Sequence, residues 1–402
     1  MSAATRTVIV GAGFGGIAAA RTLRELLPPP HRILVVDWRP EVSLGAGHTW
    51  VLTGRRRPEQ ISRRLSAITR HGLEFRCAEV VGVDPAKRVL EVAGDRVPAD
   101  ALVLAPGARL TLEPLPGAAG VAHQFYELDA ALRLGEALDS FAGGRVVMAV
   151  IAPPYKCPAA PHEAALLIHE RLAKKPGPDR FSLTLLTPEP QPMPVAGPVV
   201  GGAVRELYEQ RGITALFGTR PVRVHSPSST PAGSPPSRAI AGELELADGQ
   251  RMPFDLLIVI PAHVAPAFLR DSGLVGGNGW VAVERSTLAT TFDNVWAIGD
   301  VTAIPLAGGG MLPKAGVFAR AEGEAVARAI AARAQGQATG GDGEAPAFEG
   351  KGGCYLETGR GEAAYAEGDF FASPSPVVTL QPASRAGFSG KEKFARDWAR
   401  WY

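Results

Sequence analysis

Short apolar runs bounded by turn residues recur along this chain, separated by stretches with helical spacing. The first is Thr7-Val-Ile-Val10, followed by a glycine cluster, an Ala/Leu-rich stretch to Leu27, and a second run, Arg32-Ile-Leu-Val-Val-Asp37. Runs of four to six apolar residues with no alternation are the signature of strands buried on both faces, so residues 7–37 predict β-turn-α-β. Residues 73–104 alternate short apolar runs with turn signals and end on Ala101-Leu-Val-Leu-Ala-Pro-Gly107. A second α/β unit is expected over about 120–290, with strands at 145–151, 181–187 and 255–260. The strand-plus-helix pattern returns over 290–333, and the tail from 346 to 402 reads as a β-rich piece with a short terminal helix. Two stretches of small and polar residues, 226–237 and 334–345, predict a solvated loop tip and a linker. There is no tandem repeat.

The glycine cluster fixes the first unit's purpose. Gly11-x-Gly13-x-x-Gly16 follows a predicted strand and opens a predicted helix, the context in which this motif binds a dinucleotide. Gly11 permits the tight turn, Gly13 lets a pyrophosphate reach the backbone, and Gly16 lets helix and strand pack closely. Phe14 and Gly15 lie inside the same turn. Asp37 ends the second strand, where an acid meets ribose hydroxyls, and Trp38 follows it. The fold class is therefore α/β, with two Rossmann-like dinucleotide-binding domains and a β-rich, partly helical C-terminal region. The expected division is 1–115 with 290–333, then 116–289, then 334–402.

Composition narrows the class without redirecting it. The chain has 402 residues, 46% of them apolar and 20% charged, which suits two or three domains with real cores. A net charge of +2 gives no nucleic-acid signature. No apolar run reaches the roughly 18 residues that span a bilayer. The N-terminus runs directly into a strand with no charged-then-apolar leader, which predicts no signal peptide and a cytoplasmic side. Three cysteines, Cys77, Cys157 and Cys354, are too few for a disulfide framework and lack zinc-like spacing. Cys77 alternates like a strand residue and reads as structural.

A second signature identifies the dinucleotide. Thr291-Phe-Asp-Asn-Val-Trp-Ala-Ile-Gly299-Asp300 is a strand ending in Gly-Asp, which places a carboxylate against a ribityl or pyrophosphate hydroxyl. With Ala105-Pro106-Gly107, it resembles the flavin-binding signature of the pyridine nucleotide–disulfide oxidoreductase superfamily, over residues 7–330. That resemblance implies FAD, since NAD in the first site leaves the Gly299-Asp300 motif unexplained. Met311-Leu-Pro-Lys314-Ala315 is expected to open a helix whose start, with the Lys314 charge, stabilises the reduced flavin. The competing reading leaves Lys314 in solvent.

Where an NADH-dependent flavoprotein carries a second glycine-rich loop, this chain reads Ala152-Pro-Pro-Tyr-Lys-Cys157-Pro-Ala-Ala-Pro-His162-Glu163. Prolines offer no N–H to a pyrophosphate, and a cysteine stands there instead. Together with Gly352-Gly-Cys354-Tyr-Leu-Glu357, the segment resembles the sulfide:quinone oxidoreductase and flavocytochrome c sulfide dehydrogenase family. The resemblance implies that Cys157 and Cys354 meet at the flavin as a disulfide or sulfur-bridged pair. Sulfide attacks it, leaving a persulfide on one sulfur and a thiolate on the other, which delivers electrons to the flavin. A helix start just after Cys157 would lower its pKa, and Glu163, or alternatively His162, would relay a proton. The bland alternative makes both cysteines incidental. Many sulfide:quinone oxidoreductases have a third cysteine where this chain reads Ala122-His-Gln-Phe-Tyr126, so the subtype stays open.

The implied substrates are sulfide and a quinone. A haem partner is not expected, because Cys-x-x-Cys-His is missing. Quinone chemistry calls for a membrane surface, and the C-terminus offers Phe394, Trp398 and Trp401 on one helical face with Lys391, Lys393, Arg396 and Arg400 around it. That pattern predicts a peripheral membrane anchor, or else a helix docked on its own domain or on a partner in a homo-oligomer. Phe370, Phe371, Tyr355 and Phe394 are candidate walls of the quinone pocket. Two other functions fit the same fold, a type II NADH:quinone oxidoreductase and a non-catalytic flavoprotein redox sensor.

Overall fold

The computed structural model describes residues 5–175, 181–226, 236, 238–336 and 347–402. The expected linker 334–345 and loop tip 226–237 lie mostly outside them. In chain order the first strands are β1 (Arg6–Val10), β2 (Arg32–Asp37), β3 (Glu74–Cys77) and β4 (Ala101–Leu104). The next four are β5 (Gly144–Val150), β6 (Phe181–Thr187), β7 (Thr214–Phe217) and β8 (Leu256–Ile260). Last come β9 (Val295–Ala297), β10 (Lys351–Gly359), β11 (Glu362–Asp369) and β12 (Val377–Ser384).

Two parallel sheets organise the molecule. The first has the order β9-β4-β1-β2-β3, so the late strand β9 pairs with β4 although some 190 residues separate them. The second has the order β7-β6-β5-β8. Strands β1, β4, β5 and β8 are almost wholly buried, as continuous apolar runs require when helices cover both faces. The tail forms an antiparallel sheet, β10-β11-β12.

Seven α-helices are described: α1 (Phe14–Leu26), α2 (His48–Leu52), α3 (Leu128–Ser140), α4 (Ala160–Ala173), α5 (Gly197–Glu209), α6 (Gly316–Ala334) and α7 (Arg385–Ala399). Helix α7 is 15 residues long, more than the short terminal helix expected. Helix α6 begins at Gly316, after the Met311–Ala315 segment that was expected to open it. Pro313 and the extended backbone of Ala315 (φ −135°) keep that segment out of the helix and stretch it beside the Cys157 loop.

Helices α1 and α6 pack so closely that glycine is needed at their crossing. A Cβ on Gly323 would lie 2.3 Å from the carbonyl oxygen of Gly15, and one on Gly16 only 1.9 Å from that of Gly11. Neither obstacle is a flexible side chain, so a methyl group must push the helix away. Gly323→Ala is expected to destabilise the fold by ~1–3 kcal/mol and to weaken FAD retention through Gly15. Thermal melts and the flavin content of the purified protein check this.

Candidate active site

A cavity of about 1320 Å³ opens where the carboxyl ends of β1, β4 and β9 face α4, β10 and α7. Every cofactor or reaction residue named from the sequence lies on its wall except Gly11, Gly16, Asp37 and His162. Gly11, at φ 94°, supports the turn from behind, where a Cβ would strike the Ala105 carbonyl at 2.2 Å. Gly13 has nothing within 4 Å of where its Cβ would be, which leaves the N-terminus of α1 open to a phosphate. The carboxylate of Asp37 accepts from the N–H of Ala12 (2.8 Å) and from the backbone and guanidinium of Arg39 (2.8–3.0 Å). A ribose hydroxyl there would share it with Arg39. The Trp38 ring, half exposed, carries the Arg109 guanidinium 4.8 Å above it.

Lys314 lies on the cavity wall and out of solvent, against the reading that left it exposed. It is buried, donates to the carbonyls of Asp300 and Thr302 at 2.7 Å each, and lies 3.5 Å from the centre of the Trp280 ring. Its ammonium is spent on backbone and tryptophan, and burial pushes its pKa down to about 8. Behind Asp300, the buried Glu322 accepts from the N–H of Gly299, and burial raises its pKa to about 7.

The two distant cysteines meet. Cys157 and Cys354 both line the cavity as free thiols, close enough for each to shift the other's pKa. Cys157 sits at φ 56°, a left-handed conformation costly for a residue with a Cβ. It is held there by its N–H donating to the Lys314 carbonyl (2.6 Å) and its carbonyl accepting from Ala160 (2.8 Å). Cys354 stands on β10 opposite Ala366. The two glycines before it let the strand pass close to its neighbours: a Cβ on Gly352 would meet the Phe318 ring at 2.6 Å, and one on Gly353 the Tyr365 hydroxyl at 2.5 Å. The expected lowering of the Cys157 pKa is not seen. Its interaction with Cys354, with burial, pushes Cys157 well above an ordinary thiol, while the same interaction pulls Cys354 below one.

Glu163 belongs to a buried charge cluster whose other members the sequence reading did not assemble. Its carboxylate accepts from Lys391 (2.6 Å), Thr49 (2.7 Å) and the backbone N–H of Glu357 (2.8 Å). Lys391 also reaches Glu357 at 3.1 Å, and Glu357 is bound by the Trp50 indole (2.7 Å) and by Arg55. Lys391 had been placed on the polar side of a surface helix; the one available signal was Glu357, three residues after Cys354. His162 turns away to the Tyr208 hydroxyl (2.6 Å) and reaches neither cysteine's cavity wall.

The aromatic face of α7 is turned inward, which corrects the anchor reading. Trp398 is 1% exposed, Phe394 stacks on Phe14 (5.9 Å), Trp401 meets Phe14 edge-on, and the Tyr402 hydroxyl donates to the Ala12 carbonyl. An apolar stripe is more stable against the first helix than against headgroups, so the helix closes the FAD cavity. Among the described residues no helix is long and apolar enough to cross a membrane. Of the proposed quinone walls, Tyr355 and Phe394 line this cavity. Phe370 and Phe371 do not; they pack on Phe318 and Phe348.

On the far side of Cys354 a second cavity of about 750 Å³ occupies the crevice of the β5 sheet, where a nicotinamide dinucleotide would lie. Its wall is largely apolar, with Pro153, Pro154, Met193, Val200 and Leu380 among its residues. Glu189, after β6, stands where a ribose-binding acid is expected, but its carboxylate is taken by the Tyr155 hydroxyl at 2.6 Å.

Residues 5–336 match the model of the pyridine nucleotide-disulphide oxidoreductase family. The chain belongs to that family. It is an FAD-dependent oxidoreductase. Sulfide-quinone reductase of Aquifex aeolicus is 26% identical over 315 residues, 75% of this chain and 69% of that protein. Mouse mitochondrial sulfide:quinone oxidoreductase is 23% identical over 318 residues, 74% of this chain and 66% of that one. The crystal structure of the Aquifex sulfide:quinone oxidoreductase superposes with a TM-score of 0.83 at 22% identity, covering 98% of this chain and 90% of that one. The open Gly13 cradle and the Gly299-Asp300 turn on one large cavity fit the FAD that the family binds.

Two outcomes follow from these charges. Lys391→Met leaves Glu163 with no counter-ion and Glu357 with Arg55 alone, which is expected to cost ~3–5 kcal/mol at pH 8. A denaturant titration measures it. Glu322 has a raised folded pKa, so its ionisation costs stability, from nothing below pH 4.5 to the full amount above about 7. Glu322→Gln keeps an acceptor for Gly299 and cannot ionise. It should melt above wild type at pH 8, by up to ~3 kcal/mol, with the gain gone by pH 5.

Proposed function

We propose that this enzyme oxidises sulfide at the Cys157–Cys354 pair and passes the electrons through FAD to a quinone at a membrane surface. One observation carries the reading: two thiols 197 residues apart in sequence lie on the wall of the FAD cavity, close enough for each to shift the other's pKa. In the oxidised enzyme they form a disulfide. HS⁻ attacks one sulfur, a new S–S bond forms as the cysteine–cysteine bond breaks, and the other cysteine leaves as a thiolate with the electron pair. Bound FAD supplies the two-electron acceptor. A further sulfide takes the persulfide sulfur away as polysulfide, leaving two thiols whose closure to a disulfide would give up the two electrons that the FAD accepts.

Glu163, Lys391 and Glu357 serve the other half of the reaction. A quinone takes up two electrons and two protons, and the Glu163 carboxylate, held by Lys391 and Thr49 on the same cavity wall as Tyr355 and Phe394, is the group placed to relay them. Lys393, Arg396 and Arg400, exposed on the outer face of α7, are the contacts to acidic headgroups that replace the aromatic anchor. An NADH donor is disfavoured by the proline-bearing loop after β5 and by the engaged Glu189.

Cys157→Ser and Cys354→Ser should each abolish bleaching of the flavin band by sulfide while FAD stays bound at wild-type stoichiometry. Anaerobic titration with sulfide, followed by a soluble quinone, reads both halves. Near wild-type turnover in either variant would remove that cysteine from the reaction.

A further inference from the structure

Lys314, the cation expected beside the flavin, is already tied to two carbonyls and to Trp280. Four lysines line the FAD cavity: Lys156, Lys314, Lys391 and Lys393. Lys391 is held by Glu163 and Glu357, and Lys393 is paired with Asp397 at 2.5 Å. Lys156 alone of the four makes no side-chain hydrogen bond or ion pair with any described residue. Its ammonium lies 5.8 Å from the centre of the Tyr126 ring, a weak contact. Its backbone runs beside that of Lys314 as a parallel bridge, and Cys157 is the next residue.

A half-buried ammonium without a counter-ion is unusual, because taking it out of water costs free energy that only a nearby negative charge returns. The chain offers part of that charge at a distance: Asp300, Glu127 and Cys157 attract it, Arg39 repels it, and burial pushes its pKa below the ordinary value. None of these groups is within bonding distance. The cavity itself is where the missing anion belongs, and the group that gains negative charge there during turnover is the flavin.

We propose that Lys156 supplies the positive charge that stabilises the reduced, anionic flavin, the part assigned from sequence to Lys314. The inference rests on FAD filling the cavity and is independent of which donor or acceptor the enzyme uses. An ammonium that meets its counter-ion only after reduction favours the reduced state and raises the flavin's midpoint potential.

The test is a flavin-band potential measurement on the holoenzyme, reduced slowly in the presence of a dye of known potential, with neither sulfide nor quinone. Lys156→Met is expected to retain FAD and to lower the reduced-to-oxidised flavin ratio at least tenfold at a fixed potential, ~30 mV for a two-electron couple. Lys156→Arg, which keeps the charge, should stay within threefold of wild type. A Lys156→Met potential equal to wild type overturns the proposal, whatever happens to activity; an unchanged potential with a raised sulfide KM assigns the ammonium to the substrate instead. If Lys156→Met does not hold FAD, Lys156→Gln takes its place. Loss of FAD from both neutral variants, with Lys156→Arg retaining it, ties Lys156 to the oxidised cofactor and also overturns the proposal.

Discussion

The ion cluster of Glu163, Lys391 and Glu357 joins three parts of the chain that sequence keeps far apart. Glu163 lies six residues after Cys157 on α4, Glu357 three residues after Cys354 on β10, and Lys391 on α7. One carboxylate oxygen of Glu163 takes the Lys391 ammonium, and the other takes the Glu357 backbone N–H. The same residues that place the two thiols on one cavity wall are therefore fixed by charge in a dry interior. Buried ions tolerate only the geometry that pairs them, since an unpaired partner would cost several kcal/mol. This makes the cluster a device for register: it sets where β10 and α7 lie against α4, and so where Cys354 stands.

The site divides its electrostatics between the two sides of the cavity. Toward α7 there is a compensated cluster, with each charge matched. Toward the β5 loop, Lys156 has no matching partner and Asp300 is pushed up by burial. A compensated cluster suits holding and passing protons, because either protonation state keeps a partner. An uncompensated ammonium suits a cofactor whose charge changes. The two cysteines shift each other's pKa in opposite directions, which favours one thiolate over two.

The second crevice is poorly furnished for a dinucleotide. The β5 sheet keeps its parallel order and its crevice, but Pro153 and Pro154 remove two N–H groups from the loop, and Glu189 is engaged by Tyr155. The crevice is apolar instead, and its wall includes the second cysteine. A fold built to bring two dinucleotides together thus presents sulfur where the nicotinamide would approach.

Local chemistry was legible wherever a few consecutive residues carry it. The Gly11–Gly16 turn, the Gly299-Asp300 strand end, the buried apolar strands and the replacement of the second phosphate loop by Cys157 all lie within short windows, because backbone conformation and N–H availability are decided there. Partnership was not legible. The amphipathic pattern of α7 says that Phe394, Trp398 and Trp401 seek an apolar surface, but not that the surface is Phe14 and the first helix. Lys314 and Lys156 look alike as lysines beside motifs; only packing turns one onto Trp280 and leaves the other without a bonded partner among the described residues. Lys391 looked like a solvated charge until two carboxylates from other elements closed on it. Periodicity and motif depend on neighbours along the chain, whereas pairing of charges, thiols and rings depends on which elements the two sheets and the terminal helix bring to one place.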